Sequence, residues 1–356
     1  MKIPQIEGFF DVVNSMQNIL GVKVTKVEEV NAGLNNRLFR IYCKNSESYF
    51  VKFYKKDERL RLEREFTALK FLADKDFKNI PKAFLKNDKY QYAVYSFEKG
   101  KTKNPAKINK EDIENILNFV VSLHKIKFSE ETSYFRPAVL ACFSAQNYLD
   151  NINFRLKAFE DYTSSGKADS QVGKFTHENN IIDLINNLVK TTIKDMDKKQ
   201  ITNKIRKSQW RLNPTDFSLA NILFQSEKES SICIVDFEYF GWDDPMRMIA
   251  DFINHDMNLA LSIDLKSYFV SEYKKRTNLS ILSQKRLDVI INLYAIEWLT
   301  IYLFSITPAK IESRRFSNKD FNEKSYVKKQ LSKFETRLRE ILGRITLDSI
   351  NLSLTK

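Results

Sequence analysis

The apolar residues of the first hundred positions fall in short segments, which turn-forming polar stretches such as AGLNN and KNSES separate. Segments of this kind, rich in Val, Ile, Tyr and Phe, predict β-strands. A different pattern covers residues 58–73, where apolar residues recur at helical spacing. The predicted order is therefore sheet, one helix and more sheet. The predicted strands are 21–30, 37–43, 48–54, 82–85 and 91–97.

After residue 97 the apolar pattern is mainly helical. We expect the polar stretch 163–174 to form a loop and residues 321–345 to form an amphipathic basic packing helix. The apolar segment 288–306 contains an asparagine and a glutamate and is barely as long as the ~20 residues of a bilayer span, so we predict a buried helix. Further helices are predicted over 111–126, 147–162, 180–196, 251–269 and 284–305.

The helical pattern breaks between residues 209 and 252, where two short apolar runs, ILF and ICIV, flank the polar turn QSEKESS. This arrangement predicts a hairpin. Asn221 precedes the first run and Asp236 follows the second, so the hairpin would bring these side chains together at one end. An amide oxygen and a carboxylate are hard ligands of the kind that Mg²⁺ prefers. Asp216, five residues before Asn221, is placed to accept a proton from an attacking hydroxyl group.

The spacing of Asp216 and Asn221 is not distinctive by itself, because Asp74 and Asn79 repeat it in the same chain. That second copy lacks the apolar hairpin and the downstream carboxylate, and we interpret it as a surface loop after a helix. The prediction therefore rests on the combination of the first pair with Asp236.

Lys52 lies inside the apolar run YFVKFY, where a lysine is costly unless its ammonium group has a partner. Glu65, in the predicted helix just downstream, is a candidate for that partner. A pair of this kind can hold a lysine over the phosphates of a nucleotide. The alternative is that Lys52 faces water on an edge strand and that Glu65 is one of several solvated charges.

Composition narrows the classes of protein to consider. The 356 residues include only 8 glycines, which argues against glycine-rich dinucleotide folds. The 3 cysteines are too far apart for a metal knuckle, and free thiols with no signal-peptide pattern predict a cytoplasmic protein. The net charge of +13 indicates an anionic partner, or simply a lysine-rich composition. Because no basic run is interleaved with aromatic residues, we expect no nucleic acid partner.

On these residues the chain resembles the aminoglycoside phosphotransferase and choline kinase family, which has the two-lobed protein-kinase-like fold. The resemblance runs from NAGLNNRLFRIY through FVKFY, LEREFTALKFL, VYSFEKG and SLHKI to DFSLANILF and IVDFEYFGWDDP. It implies an α+β fold with a small N-terminal antiparallel sheet lobe plus one helix at 1–97, which binds the nucleotide. A large, mainly helical lobe at 98–356 is implied to hold the catalytic loop, the metal site and the acceptor site.

The resemblance also implies roles for individual residues. Asp216 is implied to be the catalytic carboxylate, with Asn221 and Asp236 holding Mg²⁺. Lys52 is implied to contact the phosphates of ATP, with Glu65 orienting it. The other implied ATP-binding residues are Gly33 in the phosphate loop and the hinge residues Ser96, Phe97 and Glu98.

The chain departs from the family before the catalytic residue, where Pro214 and Thr215 replace the usual His-Gly. Proline fixes its φ angle near −65°, so the loop is able to keep its shape without the imidazole. The family's Asp-Pro-x-x-Asp pattern is also altered here, because its last position is Met248.

The activity implied by the resemblance is ATP- and Mg²⁺-dependent phosphorylation of a hydroxyl group on a sugar, an amino sugar or an amino alcohol. An acidic and aromatic group of residues suits a neutral or cationic acceptor, and we expect no membrane partner. Two alternatives within the fold stay open, a pseudokinase-like nucleotide-binding module and a choline or ethanolamine kinase. The candidate acceptor residues are Trp242, Asp243, Glu297 and Trp298.

Overall fold

The structure, a computed structural model of the 356-residue chain, describes residues 4–30, 36–166, 168, 170–225, 232–317 and 321–354. Side-chain surroundings are described over the same ranges apart from 316–317 and 345–354. The chain forms two compact units. The first contains Met1–Ile126, Glu130–Val139 and Leu212–Trp242, and the second contains Lys127–Ser129, Leu140–Arg211 and Asp243–Lys356. The segment with the predicted hairpin therefore belongs to the same unit as the N-terminal strands.

A five-stranded antiparallel sheet forms the centre of the first unit, in the order β1-β2-β3-β5-β4. Each strand overlaps a segment that the sequence predicts. Strand β3 pairs with β2 on one side and with β5 on the other, so it is not an edge strand. The strands are β1 (Val24–Val30), β2 (Asn36–Cys43), β3 (Ser48–Tyr54), β4 (Ala83–Asn87) and β5 (Tyr92–Ser96).

Successive residues of β3 point to opposite faces of the sheet. The odd-numbered residues 49–53 lie in a hydrophobic core that helix α1 (Phe9–Leu20) covers, where the rings of Phe9 and Phe53 are 5.8 Å apart. Helix α1 was not predicted from the sequence. On the opposite face, Lys52 meets helix α2 (Arg61–Asp74), the one helix that was predicted in this region.

The predicted hairpin is present in the first unit. Strand β7 (Ile222–Phe224) pairs antiparallel with β8 (Ile232–Ile234), and Ile222 lies opposite Ile234. Most of the polar turn between them, residues 226–231, lies outside the described residues. Strands β6 (Arg211–Asn213) and β9 (Gly241–Asp243) form a second two-stranded sheet. Helix α3 (Lys110–Lys125) is the longest of the three α-helices described in the first unit.

Helices dominate the second unit, and two of its predicted boundaries were wrong. The loop expected at 163–174 is partly helical, because α5 begins at Ser170. One continuous helix was expected at 251–269, but helix α8 ends at Asn254 and helix α9 begins only at Ile263. After the end of α8, the side chain of Asn258 donates to the carbonyl oxygen of Phe252 at 2.8 Å. The helices are α4 (Ala145–Ser164), α5 (Ser170–Glu178), α6 (Ile181–Ile193), α7 (Lys198–Thr202), α8 (Pro245–Asn254), α9 (Ile263–Arg276), α10 (Ile281–Ser305), α11 (Pro308–Ser317) and α12 (Glu323–Leu354).

Helix α10 is the single helix of the described residues that is long and apolar enough to cross a membrane, with a mean hydropathy of 1.5 over its most apolar window. In the structure, 67% of that window is buried within the protein. This burial agrees with the predicted core helix, and the side chain of Asn254 on α8 donates to the carbonyl oxygen of Ile291 at 2.9 Å.

Candidate active site

Lys52 is buried on β3 at the centre of a cluster of ion pairs. Its Nζ atom lies 2.8 Å from Glu65, 2.7 Å from Asp236 and 3.1 Å from Glu238. Burial alone would lower the pKa of the ammonium group, but the three carboxylates outweigh it and hold that pKa well above its usual value. The predicted contact between Lys52 and Glu65 is therefore present, and the edge-strand alternative is wrong.

Glu65 reaches this cluster from α2 and is itself buried. One carboxylate oxygen accepts from Lys52, and the other accepts from the backbone N–H of Phe237 at 3.3 Å. Burial raises the pKa of the Glu65 carboxyl, while Lys52 acts in the opposite direction. Because Phe237 follows Asp236 directly, Glu65 ties α2 to the predicted metal segment.

Two charged residues of this cluster, Glu238 and Arg61, were not predicted from the sequence. Glu238 is 4% exposed, accepts from the side-chain amide of Asn36 and lies 3.6 Å from Nε of Arg61. Arg61 is buried at the start of α2, and its Nη1 atom lies 3.1 Å from Asp57. A signal for Glu238 exists in the motif VDFEYF, where a second carboxylate stands two residues after Asp236 in an apolar run.

The hairpin brings Asn221 next to the segment that contains Asp236. The backbone N–H of Val235 donates to the carbonyl oxygen of Asn221 at 2.9 Å. The side-chain amide nitrogen of Asn221 donates to the carbonyl oxygen of Asp216 at 3.0 Å. The side-chain nitrogen of Asn221 is thus used within the loop, and its side-chain oxygen is the atom that would bind a cation. Asp216 itself is exposed.

Three residues around the predicted catalytic and metal positions have left-handed backbone conformations. The φ angles are 58° at Thr215, 54° at Asp216 and 68° at Asp236. Such angles are uncommon outside glycine, especially for a β-branched residue, and strained backbone of this kind is concentrated at functional sites. The N–H of Thr215 donates to Oδ1 of Asn213 at 2.9 Å, so this asparagine holds the altered Pro-Thr loop.

A cavity of about 380 Å³ in the first unit brings together most of the predicted ATP-binding and metal residues. These are Lys52, Glu65, Ser96, Phe97, Glu98, Asn221 and Asp236. The remainder of the lining is mainly apolar and includes Val30, Leu38, Phe50, Leu69, Leu223 and Val235. Asp216 does not line the cavity, and Gly33 lies outside the described residues.

The predicted hinge is held in place by side-chain hydrogen bonds within the first unit. Ser96 Oγ donates to Glu98 at 2.6 Å, and the side-chain amide of Gln225 donates to the other oxygen of the same carboxylate at 3.1 Å. Gln225 directly follows β7, so the hinge is linked to the hairpin that carries Asn221.

The oxygen atoms at the end of the hairpin fit a hard cation such as Mg²⁺. Glu65, Asp236 and Glu238 each offer a carboxylate oxygen within 4.8 Å of the others. The side chains of Glu65 and Glu238 are only 6% exposed and accept from buried donors, whereas that of Asp236 is 37% exposed. Asp236 and Asn221 are therefore the residues that would hold the ion.

The four candidate acceptor residues differ in what they offer to a ligand. Trp242 is fully buried and donates to the carbonyl oxygen of Thr132, and Asp243 is fully buried and pairs with Arg247 at 2.8 Å. Neither side chain exposes surface in this structure. The other two lie on α10 of the second unit.

Glu297 is 3% exposed and pairs with Arg155 at 2.8 Å, and its second oxygen has no hydrogen-bond partner among the described residues. Burial raises the pKa of this carboxyl group against the pull of Arg155. Trp298 is partly exposed, and its ring packs beside His255 and Tyr302. Of the four residues, only Trp298 combines an aromatic ring with accessible surface.

The solved structures with a similar fold include a phosphotransferase and two kinases. A spectinomycin phosphotransferase in complex with ADP and spectinomycin has a TM-score of 0.60 and 14% identity, with 92% of this chain and 98% of that chain covered. A choline kinase from Cryptosporidium parvum has a TM-score of 0.56 and 14% identity, with 95% and 94% covered. An ethanolamine kinase from Plasmodium vivax has a TM-score of 0.54 and 16% identity, with 94% and 89% covered. These likenesses establish a kinase-like α+β fold, as the sequence predicted.

The family model for the phosphotransferase enzyme family, APH, matches residues 26–261, which is more than half of the chain. The chain therefore belongs to this family and is a phosphotransferase. A search of curated protein sequences finds no match.

Proposed function

We propose that this protein is a kinase that transfers the γ-phosphoryl group of ATP to a hydroxyl group of a small molecule, with Mg²⁺ at the end of the hairpin. The main support is the buried Lys52, paired with Glu65 in a cavity that Asn221 and Asp236 also line. Positive charge and oxygen ligands in one cavity are the two requirements for holding the phosphates of a nucleotide. The buried free cysteines suit a cytoplasmic location.

In this proposal, one end of the cavity binds the base of ATP and the other end binds its phosphates. Backbone groups of the hinge at 96–98 would hydrogen-bond the base, and Phe50, two residues before Lys52 on the same face of β3, supplies apolar surface for it. Lys52 would contact the phosphates while Glu65 fixes its direction. When bound, Mg²⁺ would neutralise charge that develops on the phosphates.

The proposed acceptor is a neutral or cationic hydroxyl compound, with sugars and amino sugars ahead of choline. Asp216 is the proposed proton acceptor and positions the attacking hydroxyl group. Trp298 on α10 offers accessible aromatic surface, which suits a sugar ring or a cation through contacts of roughly 0.5–2 kcal/mol. We retain Trp298 as the proposed acceptor contact and not Glu297, because Glu297 is buried and paired with Arg155.

The test is ATP consumption measured against a panel of sugars, amino sugars, amino alcohols and anionic alcohols. We expect turnover that requires Mg²⁺ and a neutral or cationic acceptor, together with a rise in Tm that needs ATP and Mg²⁺ jointly. ATP binding without metal and without turnover would indicate a nucleotide-binding module instead. Turnover of anionic acceptors alone would overturn the proposed acceptor class.

The contact between Lys52 and Glu65 predicts that substitutions of these two residues affect the kinetics of ATP use. Lys52→Ala is expected to raise the KM for ATP and to lower kcat/KM by roughly 10²–10³-fold, the usual cost of removing one charge-stabilising donor. Glu65→Ala is expected to act in the same direction but more weakly, because Glu65 only positions the lysine. Steady-state kinetics of both single variants and the double variant provide the measurement.

Lys26→Ala is the matched control, since Lys26 is also a strand lysine next to a glutamate, Glu28, but is exposed. This variant should keep wild-type kinetics. Strictly additive losses in the double variant of Lys52 and Glu65 would show that the two side chains do not act together.

A further inference from the structure

Two buried tyrosines continue the Lys52 cluster away from the metal segment. The hydroxyl group of Tyr54 donates to Glu65 Oε2 at 2.8 Å, the same oxygen that accepts from Lys52. The hydroxyl groups of Tyr54 and Tyr95 are 2.7 Å apart. Both side chains are buried, 6% exposed for Tyr54 and 2% for Tyr95. A chain of hydrogen bonds therefore runs from Tyr95 through Tyr54 and Glu65 to Lys52.

The strand register explains how the two hydroxyl groups meet. Phe50, Lys52 and Tyr54 lie on one face of β3, and Tyr95 on β5 is the register partner of Phe50. Ala93 pairs with Lys52 between the two tyrosines. Because the side chain of Ala93 is a single methyl group, the rings of Tyr54 and Tyr95 are able to approach each other over Ala93.

The direction of the hydrogen bonds follows from the number of protons. A tyrosine hydroxyl group has one proton to donate. Tyr54 gives its proton to the carboxylate of Glu65, so it must accept from Tyr95. Tyr95 also lines the cavity beside the hinge residue Ser96, while Tyr54 does not. The chain thus connects the base end of the cavity to the lysine at its phosphate end.

Glu65 needs these hydrogen-bond donors because its carboxylate is buried. Its two oxygens accept hydrogen bonds from Lys52, from Tyr54 and from the backbone N–H of Phe237. Burial raises the pKa of the carboxyl group, and the hydrogen bonds from Lys52 and Tyr54 lower it. Removing the Tyr54 hydroxyl group would leave a buried carboxylate with one donor fewer and freer to rotate away from Lys52.

We propose that Tyr54 is a positioning residue that fixes the Glu65 carboxylate, and through it Lys52, and that Tyr95 anchors Tyr54 from the base end of the cavity. This inference rests on the proposed function for its kinetic consequences. Its structural consequence, the immobilisation of Lys52, is measurable whether or not the protein consumes ATP.

Tyr54→Phe is expected to lower kcat/KM for ATP roughly tenfold, the effect of one hydrogen bond to a charged group. Tyr95→Phe should have a smaller effect in the same direction. The double variant should be no worse than Tyr54→Phe, because both changes interrupt one chain.

Tyr92→Phe is the matched control. Tyr92 is also a buried tyrosine of β5, and its hydroxyl group also donates to a carboxylate, Asp11, at 2.6 Å. It belongs to the core on the opposite face of the sheet. This variant should lower Tm without changing kcat/KM for ATP, which separates positioning from a general loss of stability.

A second measurement does not depend on turnover. The rate at which an amine-reactive acylating reagent modifies Lys52, followed by mass spectrometry of the protein without nucleotide, should rise several-fold in Tyr54→Phe and stay unchanged in Tyr92→Phe. An inactive wild type with this labelling pattern would reject the proposed function and keep the positioning role. Unchanged labelling in Tyr54→Phe, or a Tyr92→Phe variant with the same effects, would overturn the positioning role itself.

Discussion

Asp216→Asn is expected to lower kcat by roughly 10²–10⁴-fold, the range for a positioned general base. The variant should keep the KM for ATP and the Tm of the wild type, because Asp216 is exposed and does not line the cavity. Asparagine tolerates the left-handed φ of 54° as well as aspartate does, so the change adds no backbone strain. Single-turnover kinetics and thermal unfolding measure the two parts of this expectation.

Asp74→Asn is the control that the chain itself offers. Asp74 has the same spacing to an asparagine as Asp216, but it is an exposed residue at the end of α2. Its substitution should leave kcat unchanged. A near wild-type kcat in Asp216→Asn would reject the proton-accepting role and would leave the proposed ATP-binding cavity without an assigned catalytic residue.

Asp236→Ala is expected to abolish productive binding of Mg²⁺ and ATP together. A bound metal contributes several kcal/mol to charge stabilisation, so activity should fall by at least roughly 10²–10³-fold. Asn221→Ala removes one neutral ligand and should raise the Mg²⁺ concentration needed for half-maximal activity. Titrations of activity with Mg²⁺ at fixed ATP provide the measurement for both variants.

Asp236→Asn keeps the size of the side chain and tolerates the φ of 68°, so it separates loss of the carboxylate charge from backbone strain. Asn79→Ala is the control for Asn221→Ala, because Asn79 has the equivalent spacing after Asp74. Mg²⁺ titrations that do not change in Asp236→Ala and Asn221→Ala would contradict the proposed metal site at the end of the hairpin.

The sequence predicted those parts of the site whose signals are local. The apolar runs around residues 222–235 indicate a hairpin, and hairpin pairing alone brings Asn221 beside the Asp236 segment. Similarly, a lysine in an apolar strand requires a partner, and the next helix supplies Glu65. In both cases one short-range rule was sufficient to predict the contact.

Contacts between distant segments were not predictable in the same way. Glu238 contacts Lys52 from a distant segment, and the motif VDFEYF marks it as a carboxylate in an apolar run without indicating its partners. Tyr54 and Tyr95 resemble ordinary strand tyrosines until the register places them on one face. Helix α1 was not predicted from the sequence, although Phe9, Val12 and Met16 recur in it at helical spacing.

The position of the site in the chain also determines when it forms during synthesis. Lys52 and Glu65 are 13 residues apart, whereas Lys52 and Asp236 are 184 residues apart. A growing chain completes the five-stranded sheet at Ser96, and about 140 residues must then be added before Asp236 exists, on the order of ten seconds at typical rates of translation. During that interval the lysine has a single carboxylate partner and the sheet lacks the hairpin. Until residue 238 has been made, Lys52 therefore lacks the carboxylates of Asp236 and Glu238, and the cavity lacks the hairpin residues that line it.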